Sequence, residues 1–153
     1  MTTRSLLLIW LLGGWSFNFA WEMAQRPLYG NYLGFRHHLR ECVVASLGDV
    51  LILAGLFGFM ATAAASWRWF DGGRLRWLAL AAGGVTIAAA IEYRALYVGK
   101  WAYAESMPVI PGLDLGVSPI AQMVIGPIAL AFVSHRQVGQ SLKNQRSEGA
   151  EPC

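Results

Sequence analysis

Residues 42–66 read CVVASLGDVLILAGLFGFMATAAAS, twenty-five positions with a single charge, Asp49. Runs of about 18 or more apolar residues rarely belong to soluble cores, and ~20 helical residues cross a ~30 Å hydrocarbon layer. The stretch therefore predicts a membrane-crossing helix, with one aspartate placed where a charge is expensive. Three further runs of the same character lie to either side of it, at about 5–25, 77–98 and 117–134. The expected fold is all-α, a polytopic membrane protein built as a four-transmembrane-helix bundle.

Composition points the same way. The 153 residues are 56% hydrophobic and only 14% charged, with mean hydropathy +0.42; soluble domains carry about 25% charged residues. Residues 1–136 read as one transmembrane domain. Residues 137–153 (QVGQSLKNQRSEGAEPC) are polar and lack aromatics, so a disordered tail is expected there. The first run contains no small-x-small cleavage pattern and is taken as a permanent span rather than a signal peptide.

The net charge of +3 does not indicate nucleic acid, because the basic residues flank the spans and form no aromatic-interleaved stripe. They set orientation instead. With the N-terminus inside, Arg4, Arg68, Arg74, Arg76, Arg136, Lys143 and Arg146 lie on the inner side. Arg26, Arg36, Arg40 and Lys100 lie on the outer side, seven against four. The expected location is the cell membrane, with both termini cytoplasmic. Residues 67–74, WRWFDGGR, form a short turn with interfacial aromatics that makes spans two and three a hairpin. Small residues at 61–65 and 79–84 are expected helix-packing seams.

Against this apolar background four polar residues stand out, Glu22, Asp49, Glu92 and Gln122, one on each span. With alternating helix directions all four fall within roughly 5–10 Å of the outer boundary at 1.5 Å rise per residue. Helical spacing enlarges the group, since Asn18, Glu22 and Gln25 share one face, as do Cys42, Ser46 and Asp49, and Ser118 with Gln122. An intramembrane ionisable residue is a functional-site hypothesis by default. Three carboxylates at one low-dielectric depth do not all ionise comfortably, and a protonated carboxyl beside an ionised one suits general acid–base chemistry. Glu22, Glu92 and Asp49 are therefore the expected catalytic residues, with Asn18, Trp21, Gln25, Trp101, Tyr103 and Gln122 binding substrate. The rival reading of the same residues is a hydrogen-bonded network that pins helices together.

Two aromatic, turn-rich segments, around 29–38 and 101–112, belong to the same outer side and are expected to cover the polar wedge. His37-His38 lacks any His-x-x-x-His or His-x-x-Glu-His spacing, so no metal is expected. No Gly-rich phosphate loop or haem or flavin signature points to a cofactor. Glu92, then Trp101-Ala102-Tyr103, then Pro119-Ile120-Ala121-Gln122 resembles the small membrane-embedded lycopene cyclases, which combine a W-x-Y loop with a Pro-x-Glu-Glu helix start. The resemblance implies acid chemistry on an isoprenoid. It covers a small part of the chain, with Gln122 standing alone where that family has paired carboxylates, and does not place the chain in the family.

The function expected from the sequence is a small membrane enzyme, an isomerase or cyclase, acting on a lipid or isoprenoid by acid–base catalysis. The alternative is a non-catalytic binding or transport component, a homo-oligomer or a subunit of a larger membrane complex.

Overall fold

The computed structural model describes residues 3–30 and 35–148. Helix α1 (Thr3–Leu8) passes through a π-helical turn (Ile9–Gly13) into α2 (Gly14–Gln25). Three long helices follow: α3 (Phe35–Ala63), α4 (Arg74–Tyr97) and α5 (Val117–Glu148). A two-stranded antiparallel ribbon, β1 (Val109–Ile110) and β2 (Leu115–Gly116), leads into α5. Three of these segments are long and apolar enough to cross a membrane, His38–Ala63, Arg74–Tyr97 and Val117–Ser141.

The N-terminal run departs from the single α-helix expected over 5–25. Its buried row is Leu6, Trp10, Gly14 and Asn18, one residue in every four. In an uninterrupted α-helix such a row would rotate away from the core by about 40° per step, given 3.6 residues per turn. The wider π turn takes up the surplus and keeps the row pointing inward.

Helix α2 packs against both α3 and α5, and α4 packs chiefly against α5; the contact between α3 and α4 is lighter. The hairpin partners expected from the short turn do touch, but each has a closer neighbour. One α4–α5 approach is very tight. A Cβ at Gly84 would overlap the carbonyl oxygen of Met123. Pro127 stands four residues after Met123 inside α5 and has no N–H to give that carbonyl. The carbonyl is turned toward the bare backbone of Gly84 instead, a geometry suited to Cα–H···O contact. The α4 seam is Leu80, Gly84, Ala88, Glu92 and Ala95, and Ala79 and Ala82 of the expected stripe are exposed. Glu92 is buried because it continues the row that Gly84 presses onto α5.

At the end remote from Glu92 the core is aromatic. Trp10 lies 4.8 Å from Phe57 and 6.0 Å from Trp69, measured between ring centroids. Trp69 and Phe70, expected at an interface, are instead folded into this core, and only Trp67 of the turn's aromatics is exposed. His135 Nδ1 sits 2.7 Å from Asp71 Oδ1 and ties the same turn to α5. Residues 137–148, expected to be disordered, continue α5; Val138 is buried in the core one turn after Ser134. The extension is held by that apolar anchor and by good helix formers among Gln, Leu, Lys and Arg. Residues 149–153, including Cys153, lie outside the described residues.

Two helix ends close with the same backbone motif and different residues. Lys100 N–H bonds the Ala95 carbonyl at 2.8 Å around Gly99 (φ 66°), and Ser66 N–H bonds the Ala61 carbonyl at 2.9 Å around Ala65 (φ 50°). A left-handed residue costs roughly 1–2 kcal/mol when it carries a Cβ. Ala65→Gly is therefore expected to raise stability by about 1 kcal/mol, read as a higher midpoint in thermal or denaturant melts.

The outer surface is strongly apolar. Leu51, Phe59, Leu75 and Leu78 are each more than 65% exposed, while Asn18, Ser46, Glu92, Gln122 and Ser134 are buried.

Candidate functional site

Near the α2 C-terminus, α2, α3 and α5 are joined by a hydrogen-bond chain whose directions follow from the chemistry of each group. Trp21 Nε1–H, which can only donate, bonds Ser118 Oγ at 3.3 Å. Ser118 then donates to Gln25 Oε1 at 2.9 Å. The Gln25 amide donates to Glu22 Oε1 at 2.7 Å and to Gln122 Oε1 at 3.1 Å. Gln122 in turn donates to Asn18 Oδ1 and Asp49 Oδ2, both at 2.9 Å. Asn18 closes the chain on the Gly14 carbonyl at 2.9 Å. Both amide nitrogens of the Gln25–Gln122 pair thus donate twice. Such a satisfied buried network fixes side-chain orientation, because reversing any amide would leave a buried donor facing a donor.

Glu92 belongs to a second group. Trp101 Nε1 donates to Glu92 Oε2 at 3.3 Å, and the Tyr103 hydroxyl donates to the same oxygen. Tyr103 has only one proton to give, and its oxygen accepts the Gly116 N–H at 2.9 Å. The strand that starts α5 thereby aims the phenol at the α4 carboxylate. Burial first, and the bond to Glu92 second, hold the Tyr103 phenol above its ordinary range, so it remains a donor. Tyr103→Phe removes one acceptor and one donor at once. It is expected to cost about 1–3 kcal/mol in denaturant melts, the penalty for orphaning buried partners.

The two aromatic, turn-rich segments bond to each other within the described residues. Gly30 N–H bonds the Ala102 carbonyl at 3.0 Å and Ala104 N–H bonds the Leu28 carbonyl at 2.9 Å, with Tyr29 paired to Tyr103. The Tyr29 ring packs against Trp101 and Tyr103, centroids 6.2 and 5.7 Å away. Burial, then the nearby carboxylates, hold the Tyr29 phenol above its ordinary range too. Residues 31–34, with Tyr32, lie outside the described residues, as does the side chain of His37.

Glu22, Asp49 and Glu92, from three different helices, line one cavity of about 630 Å³. Gln25, Gln122, Trp101 and Tyr29 also face it. Among the described residues none of the three carboxylates forms an ion pair with Lys or Arg. Nor do three of the described His, Cys, Asp or Glu side chains converge closely enough to hold one metal ion. Comparison with family models, with curated proteins and with solved structures gave no match.

Of the residues expected to bind substrate, Gln25, Trp101 and Gln122 reach the cavity. Asn18 and Tyr103 do not line it but bond Gln122 and Glu92, which do, and Trp21 stands one step further back, bonding Ser118, which donates to Gln25. Tyr29 was not expected as a site residue, though it follows Gln25 by only four positions. Cys42 was placed on the Asp49 face by spacing; its Sγ also lies 3.4 Å from His38 Nδ1, a pairing at i, i+4 that the sequence permits.

Proposed function

We propose that the protein is a four-span membrane enzyme that isomerises or cyclises an unsaturated lipid-soluble substrate by carboxylate acid–base catalysis. The observation that carries this reading is a set of three carboxylates around one cavity that, among the described residues, form no ion pair with Lys or Arg and accept from neutral donors. A purely structural network tends to pair its carboxylates or exhaust their oxygens. Membrane insertion is supported by large apolar side chains on the surface, among them Leu51, Phe59, Leu75 and Leu78, while Asn18, Gln25 and Gln122 are buried. The N-terminal run would serve as the first span, since its π turn changes the helix pitch without breaking the helix.

Glu92 is the proton donor in this reading. Both of its hydrogen bonds end on Oε2, which leaves Oε1 to carry a proton toward the cavity. The proton adds to a double bond and gives a carbocation. Glu22 or Asp49 stabilises the positive charge and takes a proton from an adjacent carbon. The double bond moves, or a ring closes, with no net change in atoms and no oxidant. A catalytic set of this kind contributes typically 10²–10⁴-fold to rate.

Two experiments test the reading. Mass spectrometry of molecules retained by gently purified protein should find an unsaturated lipid. Membranes containing the protein and incubated in D₂O should then incorporate deuterium into that lipid. Retention without incorporation would favour a binding or transport component. For orientation, Ser106→Cys should label from outside the cell and tags at either terminus should be cytoplasmic, following the seven-to-four Lys/Arg bias. Labelling of Ser106→Cys from the cytoplasm alone would reverse the topology and leave the cavity unchanged.

A further inference from the structure

The cavity changes chemical character from its floor to its mouth. Its floor carries Glu22, Asp49 and Glu92, and its walls between α3 and α4 are Val44, Ala45, Ile52, Ala88 and Ile91. Its rim carries the exposed Arg40, Lys100 and Glu41, with Arg26 set deeper, its side chain 12% exposed. Glu41 lies 3.5 Å from Arg26, so those two charges offset one another. Arg40 and Lys100 are exposed and, among the described residues, form no ion pair. Lys100 is held over the Trp101 ring, 5.2 Å from its centroid, beside the indole that donates to Glu92.

The side wall is open. Helices α3 and α4 touch only lightly, Val44 is 62% exposed, and a Cβ built at Gly48 would meet nothing within 4 Å. An apolar chain can enter sideways between the two helices, with no need to pass the polar mouth. A volume of about 630 Å³ sits inside the ~300–1,000 Å³ range of small-ligand pockets and suits one chain better than two.

Resting on the acid–base reading above, we propose that the substrate is a single-chain unsaturated amphiphile with a phosphate headgroup. Its head is bound at Arg40 and Lys100 and its chain lies between α3 and α4. The charge order decides the orientation: an anionic head is repelled by the carboxylate floor and drawn to the cationic rim, so the apolar chain meets Glu92. Two uncompensated cations at one mouth favour a phosphate over a singly charged carboxylate, and the guanidinium fork of Arg40 matches phosphate oxygens. Unsaturation is required because the proton from Glu92 needs a double bond to receive it.

The test uses full-length protein in phosphatidylcholine nanodiscs, with thermal melts titrated by farnesyl phosphate, farnesol, inorganic phosphate and dilauroyl phosphatidic acid. Farnesyl phosphate should stabilise the protein at concentrations at least about tenfold below farnesol, corresponding to two exposed ion pairs. The double variant Arg40→Gln/Lys100→Gln should lose that advantage and bind farnesol as before; both side chains are exposed, so folding is not at stake. Equal response to farnesol and farnesyl phosphate, an unchanged double variant, or a response to inorganic phosphate alone would overturn the headgroup assignment. Phosphatidic acid acting as well as farnesyl phosphate would overturn the single chain. Any of these can occur with deuterium incorporation intact, in which case the acid–base reading stands; loss of incorporation with headgroup selectivity preserved would strike that reading alone.

Discussion

Glu92→Gln is expected to leave the fold intact and to lower deuterium incorporation into the retained lipid by about 10²–10⁴-fold, the usual contribution of a general acid. The substitution is nearly isosteric, and a Gln oxygen at the same place can still accept from Trp101 Nε1 and the Tyr103 hydroxyl. What it cannot do is give up a proton at neutral pH. Glu22→Gln is the companion variant, since a Gln oxygen in place of the Glu22 carboxylate can still accept the Gln25 amide. It should also depress turnover, with folding retained. If the carboxylates are structural glue, the same variants should instead lower stability by roughly 0.6–2 kcal/mol and keep activity in the folded fraction. Thermal midpoints and deuterium incorporation measured on the same preparations separate the two outcomes. Normal folding with normal incorporation in both variants would sink the enzyme reading.

Gly84→Ala is expected to be strongly damaging for a single added methyl group, costing about 2–3 kcal/mol in denaturant melts. The added Cβ would overlap the Met123 carbonyl oxygen, a backbone atom that cannot rotate aside. Helices α4 and α5 must then separate. Glu92 lies eight residues farther along the same buried row, so ligand retention should fall together with stability. Gly55→Ala is the matched control. Nothing lies within 4 Å of a Cβ there, and the exchange should be neutral or stabilising by up to ~1 kcal/mol through helix propensity. Comparable loss in both variants would mean that the α4–α5 approach is not a close-packed seam.

The helices were legible because their signal is local. A twenty-five-residue run with one charge reads as a long apolar helix whatever surrounds it, and α3, α4 and α5 follow such runs. The π turn at Ile9–Gly13 was not legible, because it answers to a four-residue burial row that exists only once α3 and α5 are in place. The buried Trp69 and Phe70 were misplaced for a related reason. A short aromatic turn looks interfacial until Trp10 and Phe57 supply a pocket for it.

The sequence by itself placed Glu22, Asp49, Glu92 and Gln122 at a similar level along their helices, since position along a helix is counted in residues at a fixed rise, and all four line one cavity. Only the tertiary structure decided which of them face one another and through what. Gln122 reaches Asn18 and Asp49 across 104 and 73 residues, and Gln25 reaches Ser118 and Gln122 across 93 and 97. Tyr103, on a loop, was assigned to Glu92 by the Gly116 amide at its back. Helical periodicity fixes the height and azimuth of a side chain on its own helix. The rotation of each helix about its axis is set by packing, here by Gly84 against Met123 and by the π turn, and that rotation turns four isolated polar residues into one cavity.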